Sequence, residues 1–113
     1  MSIPSVVPAD LSLFEEGTSY VMRNDEGYAI YWSKSHQTAK TLCEGDCAKL
    51  WPPVVPSADA RDIGEWKTIK RSDGVRQWTY QGKPLHLYSK DESGRPAAGD
   101  GLNGDWQILK FSK

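Results

Sequence analysis

The segment CEGDCAKLWPP, from Cys43 to Pro53, constrains this chain more than any other stretch. It holds both cysteines of the sequence in a Cys-x-x-x-Cys spacing, then a short helix-compatible run, then Trp51 and a Pro-Pro stop. Gly45 permits a tight bend, and Asp46 is the expected cap of a helix running to Leu50. Pro52 and Pro53 end that helix, because proline supplies no N–H and biases the residue before it to extended geometry. The block reads as a staple at a chain reversal that delivers an indole ring to the interior. Two rival chemistries use the same side chains. Paired thiolates with a distant histidine bind soft Cu(I), and His36 lies shortly before Cys43. Paired thiols also exchange disulfides. The Cys-x-x-Cys spacing of zinc and thioredoxin-like sites does not occur, nor does Cys-x-x-Cys-His for haem attachment.

The chain has 113 residues, the size of one domain. Aliphatic residues are sparse, so the five Trp and five Tyr must supply much of the core. A formal net charge of -1 with interspersed signs gives no general attraction to nucleic acid or to an anionic membrane. No apolar run is long enough to span a bilayer. The N-terminus shows neither a charged n-region with an apolar h-region nor a lipid-attachment cysteine. The chain is therefore expected to be cytosolic, or to be a mature region separated from its signal.

Residues 1–18 read as an N-terminal arm or tether, with two prolines and no periodicity at their start; a strand docking on a sheet edge is the alternative. Residues 19–113 read as a single β domain. Ser19–Arg23 and Tyr28–Trp32 are β-prone runs around the turn cluster Asn24-Asp25-Glu26-Gly27, hence a hairpin. The polar stretch 33–41 reads as loop, and 54–65 as a connector. From Trp66 three strands follow, WKTIKR, VRQWTY and KPLHLY, joined by tight turns at Asp73-Gly74 and Gln81-Gly82. Period-two alternation puts Val75, Gln77 and Thr79 on one face, and Arg76, Trp78 and Tyr80 on the other. A Gly-rich loop, Asp91 to Asp105, precedes a last strand, WQILKF. The expected fold is mainly β: an antiparallel meander or small sandwich of about six strands, with one short helix after the cysteine loop.

Two segments echo one another, GYAIYWSKSHQ from Gly27 and GKPLHLYSKDE from Gly82. Each leads through a loop to a tryptophan, Trp51 or Trp106. This predicts two degenerate strand–loop–Trp repeats at about 27–53 and 82–107. With CEGDCAKLWPP, DGVRQWTYQGKPLHLYSKD and GDGLNGDW, the chain resembles the bacterial "secreted repeat" lipoproteins, which carry a Tyr-x-aromatic-x-x-Asp motif in two copies. The resemblance covers about residues 19–110. It implies an exported protein of the periplasm or cell envelope, often lipid-anchored, of unknown biochemical function. The motif falls on Tyr31, Ser33 and His36 in one copy, and on His86, Tyr88 and Asp91 in the other. Each copy departs from the pattern, and both histidines of the chain sit at motif positions.

In an exported protein Cys43 and Cys47 pair most simply as a disulfide. The rival is a metal site of Cys43, Cys47 and His36 or His86. The oxygen-rich loop with Asp91, Glu92, Asp100, Asn103 and Asp105 does not have the spacing of a Ca²⁺-binding loop. Trp51, Trp66, Trp78 and Trp106 are expected in the core, and Trp32 is the expected exposed ring. No nucleophile elbow, phosphate-cradling loop or zincin helix is present. The expected function is a non-enzymatic extracytoplasmic module, without cofactor, binding an unidentified protein or small molecule. Its lipid anchor would be lost with the signal. The alternative is a periplasmic copper carrier.

Overall fold

The computed structural model describes residues 1–36 and 43–113 of the chain. Part of the expected polar loop, 37–42, lies outside the described residues. The fold is mainly β and antiparallel: among the described residues there are eight strands in three small sheets, one α-helical turn and one 3-10 turn.

The strands are β1 (Leu11–Glu16), β2 (Ser19–Asn24), β3 (Tyr31–Ser33), β4 (Trp66–Lys70), β5 (Arg76–Tyr80), β6 (Lys83–Pro84), β7 (Trp106–Ile108) and β8 (Lys110–Ser112). The helix α1 spans Asp46–Leu50, as expected, but Asp46 does not cap it. Gly45 occupies the cap position at φ 59, and no side chain bonds the first turn. The three sheets order as β1-β2-β8, β3-β7 and β4-β5-β6.

Part of the expected arm is a strand. Leu11 and Leu13 alternate inward on β1, which pairs with β2 from Leu11↔Asn24 to Glu16↔Ser19. The signal was a short period-two run before Gly17, masked by the prolines upstream. Further upstream, the Val6 carbonyl accepts a 2.8 Å hydrogen bond from the Trp66 indole N–H. The start of the chain is thus held onto the body by a buried ring.

The expected first hairpin forms its turn around Asn24, whose Oδ1 accepts from the Glu26 and Tyr28 N–H groups. Its return strand soon leaves β2: Tyr31 to Ser33 pair with Ile108 to Trp106 instead. The expected closing strand divides as well. β7 pairs with β3 while β8 crosses to β2, and Leu109 between them donates to the Ile30 carbonyl at 2.7 Å. These switches turn the expected strands into three small sheets.

The hydrogen bonds of the first and second halves match in pairs. Ile30 N–H donates to Met22 C=O as Leu85 does to Trp78, both at 3.0 Å. Leu109 donates to Ile30 as Val54 does to Leu85. Met22 donates to Leu109 as Trp78 does to Val54. Lys34 donates to Asp105 as Ser89 does to Leu50. Each half therefore sends the segment after its tryptophan onto the other half: β7 and β8 after Trp106, and the extended segment to Val54 after Trp51. The segments are exchanged, although only the first half takes a strand of the other into its three-stranded sheet.

This interlock encloses two packed clusters. One lies between the hairpins β1–β2 and β4–β5 and centres on Trp66, Trp78, Tyr80 and Phe111. The other gathers Tyr31, Cys43, Trp51, Tyr88 and Trp106. The four tryptophans expected inside are there. Trp32 differs from expectation: it is half-buried against the first cluster, with the Lys83 ammonium 5.6 Å from its ring centroid.

Because Leu11 is a buried member of the first cluster, Leu11→Ala leaves a cavity there. The expected loss is about 2–4 kcal/mol of unfolding free energy, read from urea denaturation. A tether would leave the midpoint unchanged.

Candidate functional site

The residues singled out by the motif meet where the two halves cross. Tyr31 and His86 face each other in an antiparallel bridge, with N–H to C=O distances of 2.8 and 2.9 Å in the two directions. Corresponding positions of the two motif copies are thus directly bonded. Beside them Trp51 and Trp106 stack at 4.0 Å between centroids and 6° between planes. Each tryptophan also meets one motif ring edge-on: Trp51 meets Tyr31 at 5.2 Å, and Trp106 meets His86 at 5.1 Å. Tyr88 covers the other side of Trp51 at 4.3 Å. Offset and edge-on ring pairs of this kind add roughly 0.5–1.5 kcal/mol each beyond area burial.

The motif is completed between copies rather than within one. The Tyr31 hydroxyl donates to Asp91 Oδ2 at 2.7 Å and accepts from the Gly99 N–H at 3.1 Å. The tyrosine comes from the first copy and the aspartate from the second. Burial, and then this bond to a carboxylate, hold the Tyr31 phenol well above its ordinary range. The other Asp91 oxygen accepts from the Ala98 N–H at 2.8 Å, so the carboxylate ties the start of the Gly-rich loop to its middle. Gly99 is needed there for space: a Cβ would lie 2.7 Å from Trp51 Cη2 and 3.0 Å from Tyr88 Cδ2.

His86 is fully buried. Its Nδ1 lies 3.0 Å from the Trp51 carbonyl, which only accepts, so Nδ1 carries the proton. Nε2 then accepts from the Gln77 amide N–H, 3.4 Å away. Gln77 also donates to the Leu85 carbonyl and accepts from Arg71 at 3.0 Å, and Arg71 donates to the Cys43 carbonyl at 2.9 Å. A buried polar chain therefore runs from the cysteine loop through Arg71, Gln77 and His86 to Trp51. Burial is the main cause that lowers the His86 pKa to about 4, against the opposing bond to Trp51 and with the Arg71 charge adding to it. Sequence reasoning missed Arg71 and Gln77, since an arginine at a turn and a glutamine on a strand carry no signal of burial.

The disulfide between Cys43 and Cys47 is present, with a Cα separation of 5.4 Å. Closing so short a loop contributes about 2 kcal/mol on the loop-closure formula. It also anchors α1, whose first residues lead the backbone to Trp51: the Trp51 N–H donates to the Cys47 carbonyl at 2.8 Å. His36 lies at this end of the fold, with Nε2 4.0 Å from Cys47 Sγ and its ring 6.0 Å from that of Trp106. The two histidines thus flank Trp106.

The remaining oxygen-bearing side chains of the Gly-rich loop act separately. Asp100 accepts from the Ile108 N–H, and Asp105 gathers the Ser33 and Ser35 hydroxyls and the Ser35 N–H. Although burial opposes it, those bonds from Ser35 and Ser33 hold the Asp105 carboxyl below its usual range. Among the described residues no group of three or more His, Cys, Asp or Glu side chains is arranged to hold a metal ion in this disulfide-closed form. No described helix is long and apolar enough to cross a membrane.

Next to the crossing point lies a surface cavity of about 200 Å³, bounded by Tyr28, Pro52, Leu87, Tyr88, Ser89 and Asp91. Its walls are apolar, and Asp91 supplies a carboxylate at one side. Two larger clefts, of about 260 and 340 Å³, lie along Asp10 and Ser57; the first borders the motif cavity and shares Leu87 with it, and the second is lined by other residues.

A family model described as a secreted repeat of unknown function matches residues 67–110. This is the family that the sequence features resemble. The match runs from within β4 to the first residue of β8, and so takes in His86, Tyr88, Asp91 and Trp106. No curated protein and no solved structure matches the chain.

The buried His86 makes stability depend on pH with a defined sign. The unfolded chain takes up a proton near pH 6.5, whereas the folded chain resists it down to about 4. Stability from this group is complete above pH 6.5 and falls as pH drops towards 4. Between pH 7 and pH 5 the expected loss is about 2 kcal/mol. His86→Asn keeps a donor towards Trp51 without a titrating ring. Its urea midpoints at the two pH values should lie correspondingly closer together.

Proposed function

We propose, from the match of residues 67–110 to a secreted repeat of unknown function, that this protein works outside the cytoplasm as a binding module rather than as an enzyme. The disulfide supports the compartment, because such bonds persist in oxidising environments. In the periplasm or at the cell envelope the module is held by its own fold, with or without a lipid anchor. The matching hydrogen bonds of the two halves support a pair of degenerate repeats, of which residues 67–110 are the copy closer to the family pattern.

One observation carries the binding reading: the cavity at Tyr28, Pro52, Leu87, Tyr88 and Asp91 sits on the motif itself. Its floor is fixed. Tyr88 is stacked on Trp51, Trp51 is stacked on Trp106, and the disulfide-bearing helix holds Trp51 in place. A preformed apolar recess with one oriented polar group is the general form of a small-ligand site. A carboxylate retains acceptor capacity after two hydrogen bonds, so Asp91 can still take a donor from a ligand. The chemistry that fits is a flat or branched apolar group carrying an N–H donor or a positive charge. A small molecule or a side chain of a partner protein can present it.

The test is nuclear magnetic resonance titration of the oxidised protein with phenethylammonium and with the uncharged phenylethanol. Amide shifts are expected at Tyr88, Ser89 and Asp91, at lower concentrations of the ammonium. Tyr28→Ala is expected to weaken both responses about tenfold, the equivalent of about 1.4 kcal/mol. Shifts confined to the clefts along Asp10, or equal responses in Tyr28→Ala and the parent, would remove this site from consideration.

A further inference from the structure

We propose that the reduced protein binds a soft monovalent metal ion, Cu(I), through Cys43 Sγ, Cys47 Sγ and His36 Nε2, and that the disulfide is the closed state of this site. This is independent of the ligand cavity at Tyr28 and Asp91, from which it is separated by the Trp51–Trp106 stack.

Three observations converge on one place. The first is geometry. His36 Nε2 already lies 4.0 Å from Cys47 Sγ, and the two cysteine Cα atoms are 5.4 Å apart. Opening the S–S bond lets rotation of the two side chains bring both sulfurs to one ion, with little movement of the backbone. The second is the choice between histidines. His86 cannot serve, because the Trp51 carbonyl and the Gln77 amide occupy its ring nitrogens and it is fully buried. His36 is half-buried and lies on the cysteine side of Trp106. The third is charge. Two thiolates and a monovalent cation carry a net charge of minus one. The Arg71 guanidinium, paired with Asp73 at 3.2 Å, is buried and bonded to the Cys43 carbonyl, which places a positive group at the backbone of this loop. Two sulfurs and one imidazole are a soft, low-number donor set. Thiolates select Cu(I), whereas structural zinc asks for four ligands.

The opening step balances with a dithiol as reductant. A donor thiolate attacks the sulfur of Cys47, the less buried of the pair, and the S–S bond breaks as Cys43 leaves as thiolate. The second donor thiol resolves the mixed disulfide. The donor leaves as a disulfide, and two electrons have passed to the protein sulfurs. Binding of Cu(I) then forms two S–Cu bonds and one N–Cu bond, and releases the remaining thiol protons.

The experiment uses the full chain, reduced with a phosphine, freed of reductant and held without oxygen. Cu(I) is supplied as its bicinchoninate complex, and its withdrawal is followed by absorbance. The expected result is one Cu(I) per chain for the reduced protein. The oxidised protein and the Cys43→Ser/Cys47→Ser variant should bind at least ~100-fold more weakly. His36→Ala should bind about tenfold more weakly. X-ray absorption of the loaded parent should show two sulfurs and one nitrogen, which settles the ligand set even if a variant does not fold. The proposal fails if His36→Ala binds like the parent, if the nitrogen scatterer is missing, or if the oxidised protein competes equally well. It fails also if reduction abolishes the near-ultraviolet circular dichroism of the stacked tryptophans, since the site requires the folded chain.

Discussion

Everything in this structure depends on the face-to-face contact of Trp51 with Trp106, set against the Tyr31–His86 bridge. Trp106 begins β7, and Trp51 begins the extended segment to Val54; each segment leaves its own half and bonds to the other. The rings therefore meet where the two halves exchange chain. If either ring is displaced, the strand behind it loses its register against the opposite half. Small sheets of two and three strands bury little apolar area singly. Interlocking them around shared rings lets a chain with few aliphatic residues close a common interior.

Polar groups in that interior have a high cost unless every one is satisfied. Here Arg71, Gln77 and His86 lie inside and join end to end, and among the described residues no buried side-chain nitrogen or oxygen lacks a partner. The arrangement does more than avoid a penalty. It connects the backbone of Cys43 to the backbone of Trp51 through side chains of the second half. The cysteine loop and the aromatic stack are therefore positioned by the same rigid chain of bonds, and the neutral form of His86 is part of it. A protonated His86 would have no acceptor at Nε2, because the Gln77 amide nitrogen only donates.

Much of the fold was legible in the sequence because its signals were local. Asp73-Gly74 and the alternation after it mark the second hairpin, and the Cys43–Pro53 block gives the helix and its end. Local signals could not show the sheet switches. WQILKF reads as one strand, and nothing within it tells that Leu109 separates partners in two sheets. The motif residues were visible as positions but not as a pair, since Tyr31 and Asp91 come from different copies and meet only through the exchange. The prolines before β1 left a strand there as only the alternative to an arm, and Arg71 was lost to its place at a turn. In each case the deciding contact lies far along the chain, where periodicity has no reach.

The departures from the repeat pattern are themselves informative. Corresponding positions of the two halves hold Tyr31 and His86, Ser33 and Tyr88, His36 and Asp91. Where Tyr88 and Asp91 stand, the surface has an aromatic wall and a carboxylate. Where Ser33 and His36 stand, Ser33 is tied to Asp105, and His36 faces the disulfide. A strict duplication would present two like sites on opposite sides of the tryptophan stack. This chain instead keeps the backbone hydrogen bonds of both halves alike while giving the two ends different chemistry. The shared bonds hold the exchange together, so variation is tolerated at side chains that those bonds do not use. Two chemically different ends on one small body, an apolar recess with a carboxylate and a sulfur–imidazole end, are what such a division of constraint permits.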